Sequence, residues 1–209
     1  MSPHVLGFDL SLRAPAAVAL PLDWHPGDWK RVRTWATTTP EPETTADLIG
    51  QLKRYRFIAS WALDVVRTVN AWPRSVVAGA YVEDYGFRQN TAHASRIMGS
   101  GEIVRLELYE RLKCLLIPRT AATCRKFMLG VIPRKAGDPK VVVQAALWRA
   151  GAPLAKRLVE KHTRWRARAS ECWSEDVCDA FVVCNAGLAE SGGTALSLAA
   201  PEGNGRKKR

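Results

Sequence analysis

The chain has 209 residues, 47% of them apolar and 24% charged, which is ordinary for one globular domain with a full hydrophobic core. No window offers about 18 uncharged apolar residues, so no transmembrane helix is expected, and the N-terminus lacks the basic region and apolar stretch of a signal peptide. Lys and Arg number 31 against 20 Asp and Glu, a formal net charge of +11; such an excess points to a polyanionic partner such as nucleic acid.

The first apolar run, Val5 to Phe8, predicts a strand that ends at Asp9. Ala16 to Leu22 and Arg31 to Ala36 predict two more, with Pro15, Pro26 and Gly27 in the turns of an antiparallel meander. Residues 44–72 read as a long helix: Leu48, Leu52, Tyr55, Ile58, Ala62, Val65 and Val69 recur every three or four positions as one apolar stripe. Thr44 or Thr45 is the expected N-cap and Pro73 the stop. A fourth strand runs from Ser75 to Glu83. Residues 91–112 predict a helix in which Gly99 and Gly101 either weaken the middle or permit close packing.

Residues 114–118 predict a fifth strand, followed by a short helix capped by Thr120 and a Gly-, Pro- and Lys/Arg-rich loop over 130–139. Residues 140–151 and 153–166 read as helical, and 174–190 as the last helix, with Ser174 as its N-cap. From residue 191 to 209 a disordered basic tail is expected, ending in "GRKKR", which leaves 1–190 as one domain. Three strands followed by alternating helices and strands describe an α/β domain with a mixed sheet.

Five cysteines (Cys114, Cys124, Cys172, Cys178 and Cys184) are an odd number without a C-x-x-C pair. That argues against zinc and against a disulfide framework, and fits reduced, mostly buried thiols in the cytoplasm. Trp61 and Trp72 fall along the long helix and read as packing. Trp148, Trp165 and Trp173 lie among basic residues, where core packing or stacking on bases would fit. Ser11, two residues past Asp9, either caps the turn or faces a ligand.

The acids carry the chemistry. Asp9 ends the first strand and Glu83 the fourth, so both meet at one sheet edge if those strands are neighbours. Asp176 and Asp179 are three apart on the last helix and share a face in its first turns, where negative charge is favoured. Grouped carboxylates repel unless cations neutralise them, and hard oxygen donors suit Mg²⁺ or Mn²⁺. In a basic protein that combination suggests phosphodiester chemistry. Two ions about 4 Å apart can serve both the attacking and the leaving oxygen.

"GFDLSL", "YVED", "QNTAHASRIMGSGEIVRLEL" and "SEDVCDAF" together resemble the RuvC-type Holliday junction resolvases of the RNase H-like (retroviral integrase) superfamily. The resemblance implies an RNase H-like mixed five-stranded sheet with three antiparallel strands first, flanked by helices. Asp9, Glu83, Asp176 and Asp179 fall in order on the family's four metal-binding acids. It further implies two Mg²⁺ per site, replaceable by Mn²⁺, with Asp9 bridging both, Glu83 on one and the Asp176/Asp179 pair on the other. "TCRKFMLG" and "PRKAGDPK" resemble the family's basic segment. Lys126 and Lys140 take the positions of its phosphate-contacting or catalytic lysines, and Arg125, Arg134 and Lys135 are helpers. The family's junction-wedging aromatic falls, without gaps, on Gly86; Tyr85 and Phe87 flank it, and Arg88 follows as a further DNA contact.

The activity so implied is Mg²⁺-dependent resolution of four-way DNA junctions by paired symmetric nicks that leave 5′ phosphates, carried out by a homodimer. The glycines and "LELYERL" of the 91–112 helix are the expected interface. A compact chain with a divergent loop suits a phage-borne member; the expected place of action is the cytoplasm of a bacterial or phage-infected cell. Two alternatives stay open: a related nuclease for branched DNA or RNA–DNA hybrids, and a junction-binding protein that does not cut. Burying unneeded carboxylates together is costly, which weighs against the second.

Overall fold

The computed structural model describes residues 2–42, 44, 47–84, 91–130, 138–154 and 173–198, with backbone alone for 91–98. Tyr85, Phe87, Arg88, Arg134, Lys135, Trp165, Cys172 and the segment 155–166 of the expected helix lie outside the described residues. Five strands form one sheet: β1 (Ser2–Asp9), β2 (Ala16–Pro21), β3 (Arg33–Ala36), β4 (Ser75–Asp84) and β5 (Leu116–Thr120). Their order is β3-β2-β1-β4-β5. The first three pair antiparallel, whereas β4 lies parallel to β1 and β5 parallel to β4. The expected α/β architecture, with its meander first, is therefore the observed one, and the sheet is RNase H-like.

Five helices are described: α1 (Leu48–Ala71), α2 (Thr91–Leu112), α3 (Ala121–Leu129), α4 (Pro139–Arg149) and α5 (Glu175–Glu190). Side chains alternate across the strands and build two cores. Leu6, Phe8, Ala80 and Val82 meet α1 and α2 on one face. Val5, Val18, Leu20 and Tyr81 meet α3, α4 and α5 on the other. That second core is closed by Trp24, Trp29, Trp173 and Phe181, whose ring centroids lie 5.1–6.1 Å apart. Trp173 is thus a packing residue, while Trp148 stays exposed. Pro118, which offers no N–H, sits on the edge strand β5 where none is required.

The structure corrects several local expectations. The cap of α1 is Asp47, whose carboxylate accepts from Gly50 N at 2.8 Å, rather than Thr44 or Thr45. Leu48 and Leu52 continue the apolar period yet are 75% and 53% exposed. At that end of α1 the inward face is occupied by Gln51 and Arg54, and Arg54 Nε donates to Pro40 O at 2.8 Å. The third strand starts at Arg33, because Trp29–Arg31 forms a 3-10 turn tied to Asp28. The fifth starts at Leu116, because Leu115, although apolar, is exposed.

The expected disorder from residue 191 is also corrected through residue 198. Buried Asn185 accepts from Leu196 N at 2.7 Å and donates to Leu196 O at 2.9 Å, and Leu196 is itself buried. Cys124, Cys178 and Cys184 are buried and Cys114 is half-buried, in line with the expected mostly buried thiols. Among the described residues no helix is long and apolar enough to cross a membrane.

α5 lies directly on β1. A Cβ at Gly7 would overlap the Ala180 carbonyl oxygen and the Cys184 backbone, so only glycine permits this approach. Cys184 Sγ donates to Val5 O at 3.2 Å across the same contact. Gly7→Ala is expected to lower unfolding stability by about 1–3 kcal/mol through overpacking. Denaturant titration reads this directly, and an unchanged midpoint would show that the contact is not tight.

Candidate metal centre

The register pairs Phe8 with Val82, which places the next residues, Asp9 and Glu83, side by side at the strands' C-terminal edge. Both face the α5 side, in phase with Gly7 and Tyr81. α5 begins above this edge. Ser174 accepts from Val177 N at 3.3 Å as its N-cap, and Glu175 and Asp176 occupy its first turn. One turn on, Asp179 reaches inward. One carboxylate oxygen from each of Asp9, Glu83 and Asp179 lies within 4.8 Å of the others, and Asp9 and Asp179 are buried. Such a set of hard, converging oxygens fits a divalent cation. Asp176 stands one turn earlier on α5, outside that group of three.

Two cations neutralise the group. Arg125, on α3, places Nη2 at 3.2 Å from Asp179 Oδ1 and 3.9 Å from Glu83 Oε1. Lys140, at the start of α4, places Nζ at 2.7 Å from Asp179 Oδ2 and 3.0 Å from Glu175 Oε1. Caps set both helices: Thr120 accepts from Thr123 N on α3, and Asp138 accepts from Lys140 N on α4. The Thr120 cap agrees with the sequence reading.

Lys126 does not join the cluster; its side chain is exposed. Cys124 and Met128 form the buried side of α3, and Arg125 flanks that side while Lys126 falls about 100° further round. The structure thus brings together Asp9, Glu83, Asp179, Arg125 and Lys140. It also adds Glu175, which the motif reading missed. The signal was present in the spacing, since Glu175 and Asp179 are four apart and share a helix face. Ser11 resolves as a turn residue, its Oγ accepting from Ala14 N at 3.1 Å while its own N–H donates to Asp9 Oδ1 at 3.1 Å.

Burial and the Asp179 charge push the Glu83 carboxyl up to about 7, against the opposing pull of Arg125 and Lys140. Burial and neighbouring Glu175 push Asp176 up to about 6. Burial alone would lower Lys140, but Asp179 and Glu175 outweigh it and hold its ammonium above the ordinary lysine range.

A carboxyl raised on folding keeps its proton in the native state after the unfolded chain has released it. Glu83 therefore costs stability as pH rises from about 4.5 to about 7. In chelator-containing buffer, Glu83→Gln should gain stability relative to wild type between pH 5 and pH 8. Thermal melts of the pair at both values test this, and an equal difference at the two would contradict it.

Two solved structures share this fold. The "Thermus thermophilus RuvC structure" superposes with a TM-score of 0.53 at 14% identity, covering 91% of this chain and 97% of that one. "T. thermophilus RuvC in complex with Holliday junction substrate" gives 0.51 at 13% identity, covering 90% and 96%. No family model matches the sequence, and no curated protein does. At these identities the likeness is one of fold: the chain has a RuvC-like, RNase H-like architecture along almost its whole length.

Proposed function

We propose that the protein is a divalent-metal-dependent endodeoxyribonuclease that resolves four-way DNA junctions. The observation that carries this reading is the buried Asp9–Glu83–Asp179 group at the C-terminal edge of a RuvC-like sheet, in a chain with a net charge of +11. The likeness to a RuvC solved with a Holliday junction substrate supports the choice of DNA structure.

Asp9, Glu83 and Asp179 would hold Mg²⁺ or Mn²⁺, with Asp176 as a further proposed ligand. When bound, two such ions lower the pKa of water and stabilise the leaving 3′ oxygen. The chain's own residues do the rest. β1 and α5 hold the carboxylates in fixed relation, and Lys140 supplies a positive charge beside the scissile phosphate. Exposed Lys126 contacts the backbone away from the metals. Arg134, Lys135, Tyr85, Phe87 and Arg88 complete the proposed DNA contacts. The proposed nuclease unit runs through Leu198, which still bonds the body, with a basic tail after it, and the protein acts in the cytoplasm.

A four-way junction is close to two-fold symmetric, so paired nicks call for a C2 homodimer. α2 is the proposed interface. Leu106 and Tyr109 are 56% and 49% exposed on it, and a side chain at Gly101 would meet open space.

The test is a labelled mobile four-way junction beside a fork, an RNA–DNA hybrid and plain duplex, each with and without Mg²⁺. Symmetric nicks in the junction alone are expected. Preference for the hybrid would reassign the substrate, and binding without cutting would make the protein a junction-binding module. Asp9→Asn should slow cleavage about 10³-fold or more, because several kcal/mol of stabilisation leave with the metal, while junction binding persists. Sedimentation of the protein on junction DNA should show a dimer; a monomer would overturn the paired-nick arrangement.

A further inference from the structure

Two arginine contacts in this protein, one exposed and one largely buried, differ in kind. Arg119 grips Glu190 with two parallel bonds, Nε to Oε1 at 2.7 Å and Nη2 to Oε2 at 2.5 Å, which is the locked, forked geometry of a structural pair. Arg125 engages its acids through Nη2, at 3.2 Å from Asp179 and 3.9 Å from Glu83. Its Nε is buried with no hydrogen-bond partner among the described residues, and the side chain is only 14% exposed. A guanidinium held at one corner, with another donor unused, is parked rather than locked.

The place where it is parked matters. Asp179 Oδ1 faces Arg125, while Asp179 Oδ2 faces Lys140 at 2.7 Å, so both oxygens of this carboxylate are already engaged by the protein's own cations. Glu83 shares the same guanidinium. A divalent ion seated among Asp9, Glu83 and Asp179 requires oxygen lone pairs on that side, and it would stand within a few ångströms of a fixed positive charge.

We propose that Arg125 is a built-in counter-cation that competes with divalent metal: it holds Glu83 and Asp179 together in the metal-free protein and swings away when an ion enters. The proposal rests on the metal reading of the cluster given above. It assigns Arg125 a role that a phosphate-contacting helper would not have, since such a helper would leave metal affinity unchanged. The swing also releases a planar donor suited to a phosphate oxygen at the lip of the site.

The test uses full-length protein stripped with chelator and titrated calorimetrically with Mn²⁺ alone, without DNA. Arg125→Met is expected to bind Mn²⁺ at least about tenfold more tightly than wild type, about 1.4 kcal/mol. Without metal, it should melt at a lower temperature than wild type, and Mn²⁺ should recover the deficit. Equal or weaker Mn²⁺ binding by the variant would overturn the proposal while leaving the metal reading intact. No Mn²⁺ binding by either protein would overturn both. Should the variant fail to fold, a crystal structure of wild type with Mn²⁺ bound decides. Arg125 Nη2 is expected beyond hydrogen-bond reach of Asp179, and a retained contact overturns the proposal.

Discussion

Mutual repulsion among three carboxylates is the constraint around which this protein is organised. At a separation of 4.8 Å, two unit charges oppose each other by on the order of 3 kcal/mol at an effective dielectric of 20. Water screens this poorly, because Asp9 and Asp179 are each 3% exposed. The fold answers with Arg125 and Lys140, delivered from two helices whose first turns are fixed by Thr120 and Asp138. Glu175 then draws Lys140 from the other side, so that the ammonium is shared between two acids. Burial, with the Asp179 charge added to it, keeps the Glu83 carboxyl raised in spite of both cations.

The rest of the scaffold keeps those charges from separating. β1 carries Asp9 and is buried from Val5 onward; α5 carries Asp179 and lies on β1 without an intervening side chain at Gly7. Strand and helix therefore behave as one rigid piece, with the Trp24, Trp29, Trp173 and Phe181 cluster behind it. Trp29 adds a bond from Nε1 to Ala150 O at 2.8 Å, which ties the end of α4, and with it Lys140, to the same core. β4 brings Glu83 by parallel pairing with β1, whose register leaves little freedom in where it arrives.

Much of this could be read from residue order. Asp9 and Glu83 stood at the ends of apolar runs, and strand neighbourhood alone was needed to join them. Asp179 followed from its spacing on an apolar helix with a clear cap. What escaped was phase and coverage. Arg125 and Lys126 differ by one position, and only the burial of Cys124 and Met128 decides which of them points inward. Leu48 and Leu52 obey the helical period, but period cannot say that a strap bonded through Pro40 and Arg54 occupies the inner face there. Glu175 shares a helix face with Asp179, but its ion-pair partner, Lys140, is 35 residues away, and sequence spacing does not report that meeting.

The Asn185 amide acts on Leu196 much as a neighbouring strand would, answering both its N–H and its carbonyl. Leu198 N then bonds Met128 O at 2.6 Å, which lays the chain across α3. The outer side of α5 is thereby interior, although its sequence ends in a run of Gly, Ser and Ala that reads as expendable. Trimming the protein at Glu190 would remove a wall rather than a fringe, stranding a buried amide and opening the apolar layer behind it. A tag, a fusion partner or a shortening belongs past Leu198, where the last backbone bond to the described body has already been made.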